Sequence, residues 1–173
     1  MTTRPIRALP LALLLAMGLS ACANDPDVAS ATGPGAGGAP GAGLSGGALD
    51  PASAEYFRVT VGDRVFFATD SSALDGAAQA TLARQAEWLA LNPGVSVTIE
   101  GHADERGTRA YNLALGARRA QSARDFLLTQ GVPANRMRTV SYGKERPVAL
   151  CSDESCWSQN RRAVTVTAGA PVS

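Results

Sequence analysis

Apolar and polar positions alternate along Val95-Ser-Val-Thr-Ile99, which puts Val95, Val97 and Ile99 on one face of a strand over residues 95–100. A longer period precedes it. Leu82, Ala86 and Leu89 recur at helical spacing within 76–91, and Asn92-Pro93-Gly94 closes that helix. Upstream, Tyr56–Val61 and Arg64–Phe67 flank Gly62-Asp63 and predict two strands joined by a tight turn. After Ile99 the alternation stops at Gly101, and a polar turn carries His102, Asp104, Glu105 and Arg106 to a strand's end. A second helix is predicted over 109–130, closed by Gly131-Val-Pro133, then a strand over 138–142. A loop holding two cysteines leads to a last strand, Ala163–Thr167. Strands alternating with helices predict a small α/β (α+β) sandwich, one mixed sheet covered by helices on one face. The predicted domain, 55–169, is large enough for a modest core, and 170–173 are a short tail.

The start of the chain has another character. Met1 to Ala21 reads as a secretory signal, with Arg4 and Arg7 before an apolar run from Leu9 to Leu19 too short to span a bilayer comfortably. Residues 23–54 are dominated by Gly, Ala, Pro and Ser and cannot bury enough surface to fold. They predict a disordered linker with a root-mean-square span of roughly 30 Å.

Charge narrows the partners. The formal net charge of +1 includes Arg4 and Arg7, so the chain without its signal is close to neutral. That gives no reason to expect nucleic acid or an anionic membrane surface as partner. Cys151 and Cys156 bracket Ser-Asp-Glu-Ser in an exported domain, so a disulfide is the first expectation and two free thiols facing apart the alternative. His102 is the only histidine. With Glu100 and Asp104 it does not form a zinc spacing, and the expectation is no metal, no cofactor and no catalytic residue, with His102 shaping the loop. Asn112 and Arg119 lie seven residues apart, on one helical face with Leu115 between them. A carboxylate at the loop mouth, an amide and a guanidinium suit a small ligand carrying both an ammonium and a carboxylate. An Asp104–Arg119 ion pair closing the loop is the alternative. Gly116 allows a close helix approach, and Arg161 and Arg162 are expected to make internal ion pairs fixing the last strand.

The segments Gly101–Thr108, Tyr111–Ala120, Thr139–Pro147 and Gln159–Ala163, with Val65-Phe-Phe67 and Asp70, together resemble the peptidoglycan-associated lipoprotein (Pal) family, a branch of the OmpA-like C-terminal domains. The resemblance spans about residues 55 to 169, and it rests on the order of the pieces rather than on any one. It implies that Asp104 accepts the ammonium of meso-diaminopimelate in the peptidoglycan stem peptide and that Arg119 clamps its carboxylate. It also implies that Asn112 and Leu115 line the pocket and that backbone amides of Ala68, Thr69 and Asp70 help hold the carboxylate. Thr69 stands where related domains carry an aromatic residue, which leaves that position its backbone contact alone.

Leu19-Ser-Ala-Cys22 resembles the bacterial lipobox, implying lipidation of Cys22, and Ala23 after it implies sorting to the outer membrane. The implied function is non-enzymatic: outer membrane joined to cell wall within the Tol–Pal system, with the periplasmic propeller protein TolB as partner. The alternatives are an OmpA-like wall-binding lipoprotein outside Tol–Pal and, less well supported, an enzyme acting on peptidoglycan.

Overall fold

A computed structural model describes residues 49–168. The signal, Cys22 and linker residues 23–48 therefore lie outside the described residues, as do 169–173. Within the described span the order is α1 (Ala54–Tyr56), a π-helical continuation (Phe57–Gly62), β1 (Arg64–Phe66), α2 (Gly76–Leu91) and β2 (Ser96–His102). Then come α3 (Arg109–Thr129), a 3-10 turn (Ala134–Arg136), β3 (Met137–Gly143), α4 (Glu154–Asn160) and β4 (Arg162–Ala168). The sheet order is β1-β4-β2-β3. β2 pairs parallel with β3, and β4 runs antiparallel to β1 and β2, so the sheet is mixed as expected. No helix among the described residues is long and apolar enough to cross a membrane.

The two long helices form where the periodicity placed them. Asp75 caps α2, its Oδ1 accepting from the Ala78 N–H at 2.8 Å. Thr108 caps α3 through the Tyr111 N–H at 3.2 Å, satisfying donors that a helix start otherwise leaves open. Leu82, Ala86 and Leu89 are buried on α2, and Ala120, Ala123 and Leu127 on α3. They close over Val97 and Ile99 of β2. The opposite sheet face stays open, with Phe66 and Val166 exposed. β2 and α3 touch backbone to backbone: a Cβ added at Gly101 would lie 1.8 Å from the Gly116 carbonyl oxygen.

Residues 56–61 are helical, not a strand. The β-branched run Val59-Thr60-Val61 suggested extension, but Phe57 and Val61, four apart, are the buried pair, while Val59 is 63% exposed. Phe57 lies against Trp88, ring centroids 4.7 Å apart, and Gly62 at φ 94° ends the element. The expected start at Glu55 shifts upstream for a related reason. Ser53 is buried and accepts from the Tyr56 N–H at 3.1 Å, while the Trp88 indole N–H donates to the Pro51 carbonyl at 2.7 Å. Residues 50–54, assigned above to the linker, therefore pack on α2.

The cysteine loop carries helix α4, also unexpected from the sequence. Asp153 caps it by accepting from the Ser155 N–H at 2.8 Å, and Cys151 and Cys156 are joined with their Cα atoms 5.5 Å apart. Replacing both by serine is expected to lower stability by about 2 kcal/mol, the loop-entropy value for so short a ring. Urea denaturation of the oxidised protein against the double variant measures it, and equal midpoints would contradict it.

Candidate functional site

The site forms where β2 ends and α3 begins. A bulge between Gly101 and His102 releases β2 from its register with β3, and the Ala103 N–H donates to the Gly143 carbonyl at 2.8 Å. The chain then turns through Asp104–Gly107, with Gly107 at φ 90°. A second wall is the loop after β1, where Asp70 takes the left-handed conformation at φ 55°, a region aspartate tolerates better than most residues. The Tyr111 hydroxyl on α3 donates to Asp70 Oδ1 and ties that loop to the helix. Thr69, Asp70, Asp104, Arg106, Gly107, Tyr111, Asn112 and Leu115 together line a cleft of about 320 Å³.

Asp104 is 7% exposed. Its Oδ1 accepts from the Arg106 backbone N–H at 3.1 Å. Its Oδ2 meets Arg106 Nη2 at 2.7 Å and Arg161 Nη1 at 3.5 Å. Burial pushes the carboxyl pKa up, but the hydrogen bonds from Arg106, side chain and backbone, together with Arg161, outweigh it and hold the pKa below its ordinary value. The group is ionised at neutral pH. Asn112 is buried and donates from Nδ2 to the Arg106 carbonyl at 2.8 Å, which fixes the turn from the helix side.

Arg119 sits deeper than the spacing suggested. Its guanidinium is fully buried and lies behind the cleft instead of lining it. Nε donates to the Ser71 carbonyl at 2.8 Å, Nη1 to His102 at 2.8 Å and Nη2 to Ala68 at 3.2 Å. Its distance above the Phe67 ring is 5.3 Å. Burial pulls its pKa down to about 10, partly opposed by the Asp104 charge, so it stays protonated at neutral pH. Arg119 thus staples the Ala68–Ser71 loop to the end of β2, and Asp104 pairs with Arg106 and Arg161 instead. Ala68 contributes its carbonyl to this staple and likewise stays off the cleft. Arg119→Ala is expected to cost roughly 3 kcal/mol, because three carbonyls lose their donor and a large side chain leaves a cavity. A clear fall in the thermal midpoint checks this; an unchanged midpoint would contradict it.

Of the residues singled out above, Asp104, Asn112, Leu115, Thr69 and Asp70 meet in one cleft. Thr69 adds a side-chain contact, its Oγ1 lying 3.4 Å from Arg106 Nη2. Arg161 does make internal ion pairs, with Asp104 and with Glu154, and donates to the Phe67 carbonyl at 3.0 Å. Arg162 differs: its partners are the Asn160 and Arg146 carbonyls.

Residue-by-residue reasoning missed Arg106, Tyr111 and Trp157. Arg106 stacks 4.2 Å over Trp157, and the Trp157 indole donates to Glu105 at 3.1 Å. Arg106 and Tyr111 were visible as part of the signature, but the stacking of Arg106 on Trp157 and the bond of Tyr111 to Asp70 span 51 and 41 positions and leave no local signal. His102 is buried with neither ring nitrogen hydrogen-bonded. Burial, then the charges of Arg162 and Arg146, lower its pKa to about 4, so it is neutral at ordinary pH.

Comparison with known proteins identifies the family. The family model described as the OmpA family matches residues 66–162. A "Peptidoglycan-associated lipoprotein" of Rhizobium meliloti is 58% identical over 160 residues, covering 92% of this chain and 87% of that protein. Among solved structures, the peptidoglycan-associated lipoprotein from Burkholderia pseudomallei superposes with TM-score 0.64 at 41% identity, covering 69% of this chain and all of that one. The periplasmic domain of Helicobacter pylori MotB, at 21% identity and TM-score 0.54 over 60% of this chain and 69% of its own, shares the fold.

Proposed function

Because the chain belongs to the OmpA family, and within it to the peptidoglycan-associated lipoproteins, we propose that it binds peptidoglycan non-covalently through the cleft at Asp104. The observation that carries this reading is the ionised, nearly buried Asp104 carboxylate lining a cleft wide enough for one amino-acid side chain. Its ligand is the meso-diaminopimelate of the stem peptide, whose far end is a zwitterion. The ammonium meets Asp104. Asn112 and Leu115 hold the methylene stem, and the backbone of Thr69 and Asp70 lies beside the carboxylate. Arg119 acts from behind, keeping that loop in place and adding positive charge beneath it.

The chemistry is binding, not bond-breaking. Glu154 is held by Arg161, and His102 is buried outside the cleft lining. A few charge-assisted hydrogen bonds at a partly solvated site correspond to roughly micromolar affinity. Many ligand copies on one polymer make such a site sufficient when the protein is held nearby. The holding is done by lipid on Cys22 in the outer membrane, a reading supported by the lipobox and by the names of the relatives. Membership of the Tol–Pal system, with a TolB-like propeller protein as partner, rests on the Asp104-Glu-Arg-Gly and Ser141-Tyr-Gly-Lys-Glu-Arg-Pro runs. Co-purification of TolB with the full-length protein tests it.

Calorimetric titration of the full-length protein tests the wall reading, using a diaminopimelate-containing muropeptide and a lysine-containing one. Saturable, roughly micromolar binding of the first, at least tenfold weaker for the second, is the expected result. Equal binding of both, or of neither, overturns it.

A further inference from the structure

Two guanidinium groups hold Asp104, and they differ in freedom. Arg161 has a side chain only 6% exposed and is anchored to the Phe67 carbonyl and to Glu154. Arg106 has a side chain 39% exposed, lines the cleft, and reaches Asp104 through Nη2 alone. Its stem does not depend on that contact, because the guanidinium rests on Trp157 at 4.2 Å and Trp157 is itself held by Glu105. The turn is equally independent: the Arg106 N–H on Asp104 Oδ1 and the Arg106 carbonyl on Asn112 fix the backbone. A side-chain swing of Arg106 therefore disturbs neither Trp157 nor the loop.

Arg106 Nη2 lies 2.7 Å from Asp104 Oδ2 and lines the cleft, so an ammonium entering there competes with it and can replace it. That replacement exchanges one ion pair for another and by itself gains little. A ligand that also carries a carboxylate changes the outcome, because the released guanidinium finds a partner at the cleft wall. One pair becomes two. Arg119, fully buried and absent from the cleft lining, is not placed to supply this second pair.

We propose that Arg106 exchanges partners on binding, leaving Asp104 to the ligand ammonium and taking the ligand carboxylate, so that it selects a zwitterionic end over an amidated one. This rests on the reading of Asp104 as the ammonium acceptor. The exchange explains why a binding carboxylate carries a partly exposed internal cation beside a buried one. It also assigns Trp157 a task, as the platform on which the guanidinium turns while stacked.

The test is calorimetry on the full-length protein with two muropeptides, one with the free end carboxylate of diaminopimelate and one with that carboxylate amidated. The wild type is expected to prefer the free form by about tenfold, the value of one charge-assisted pair. Arg106→Ala and Arg106→Gln both reduce the preference to about twofold or less, while the amidated form binds them at least as well as it binds the wild type. A preference that survives in both variants, or its absence in the wild type, overturns the exchange. Asp104→Asn separates the two ideas. If it loses both ligands while the Arg106 variants keep the preference, only the exchange falls; if it binds both ligands normally, the Asp104 reading falls first.

Discussion

Asp104→Asn is expected to release the protein from isolated peptidoglycan, lowering affinity for a diaminopimelate muropeptide between about tenfold and a hundredfold. Asparagine keeps the size and one acceptor oxygen but not the charge, so the backbone turn through the Arg106 N–H survives. What is lost is the attraction for an ammonium, in a position where only 7% of the residue is exposed and water screens poorly. The fold tolerates the change because Arg161 keeps Glu154 and the Phe67 carbonyl. Circular dichroism matching the wild type, with pull-down on sacculi lost, is the expected pair of results; undiminished pull-down would remove Asp104 from the site.

The same group sets an acid limit. Its folded-state pKa lies below the ordinary 3.8, so the unfolded chain takes up its proton first as pH falls. The stabilisation Asp104 provides is complete above the unfolded value and disappears as pH drops through the depressed one. The Asp104→Asn variant should therefore lose its stability deficit relative to wild type in strong acid.

Gly101→Ala is expected to be the most damaging single methyl group in the domain. Its Cβ would meet the Gly116 oxygen at 1.8 Å and the Gly116 carbonyl carbon at 2.6 Å. Both are backbone atoms of a 21-residue helix, which cannot yield locally as a side chain can. Either α3 lifts from the sheet or β2 leaves its neighbours, and both routes strip water-excluding contacts from Ile99 and Ala120. A loss of about 3 kcal/mol or more follows. Gly116→Ala should cost less. Its Cβ would meet Ser141 Oγ at 2.4 Å, which can rotate away, although the Gly101 oxygen at 2.8 Å cannot. Urea midpoints for the two variants test the ranking, and a milder Gly101→Ala would refute the fixed-backbone account.

How much could be read in advance depended on distance along the chain. α2, α3 and β2 declare themselves because their buried residues repeat within one element: Leu82, Ala86 and Leu89, then Val97 and Ile99. The cleft was half legible, since Asp104, Asn112 and Leu115 lie within a dozen positions and share a signature. The π-helical segment was misread because the β-branched run Val59-Thr60-Val61 outweighed the helical spacing of Phe57 and Val61. The cue that would have corrected it, the Ser53 cap, lay in a stretch whose composition argued for disorder. Helix α4 was hidden by its brevity and by two cysteines that drew attention to the bond instead of the backbone between them. Arg119 was placed on the correct helical face but at the wrong depth. Spacing gives direction around a helix, whereas depth is decided by what covers it, here the Ala68–Ser71 loop about 50 positions earlier.

The clasp between Trp88 and the Pro51 carbonyl has a mechanical consequence. It fastens the incoming chain to the last turn of α2, beside the start of β2, while the cleft lies past the end of β2. The clasped start of the described chain and the cleft therefore sit at opposite tips of one strand, about 23 Å apart for seven extended residues. Tension applied between the clasped segment and a ligand in the cleft would run lengthwise through that strand. β2 is flanked by β3 on one edge and β4 on the other, so its hydrogen bonds would resist as a set, in shear, and would not open one at a time like a zip.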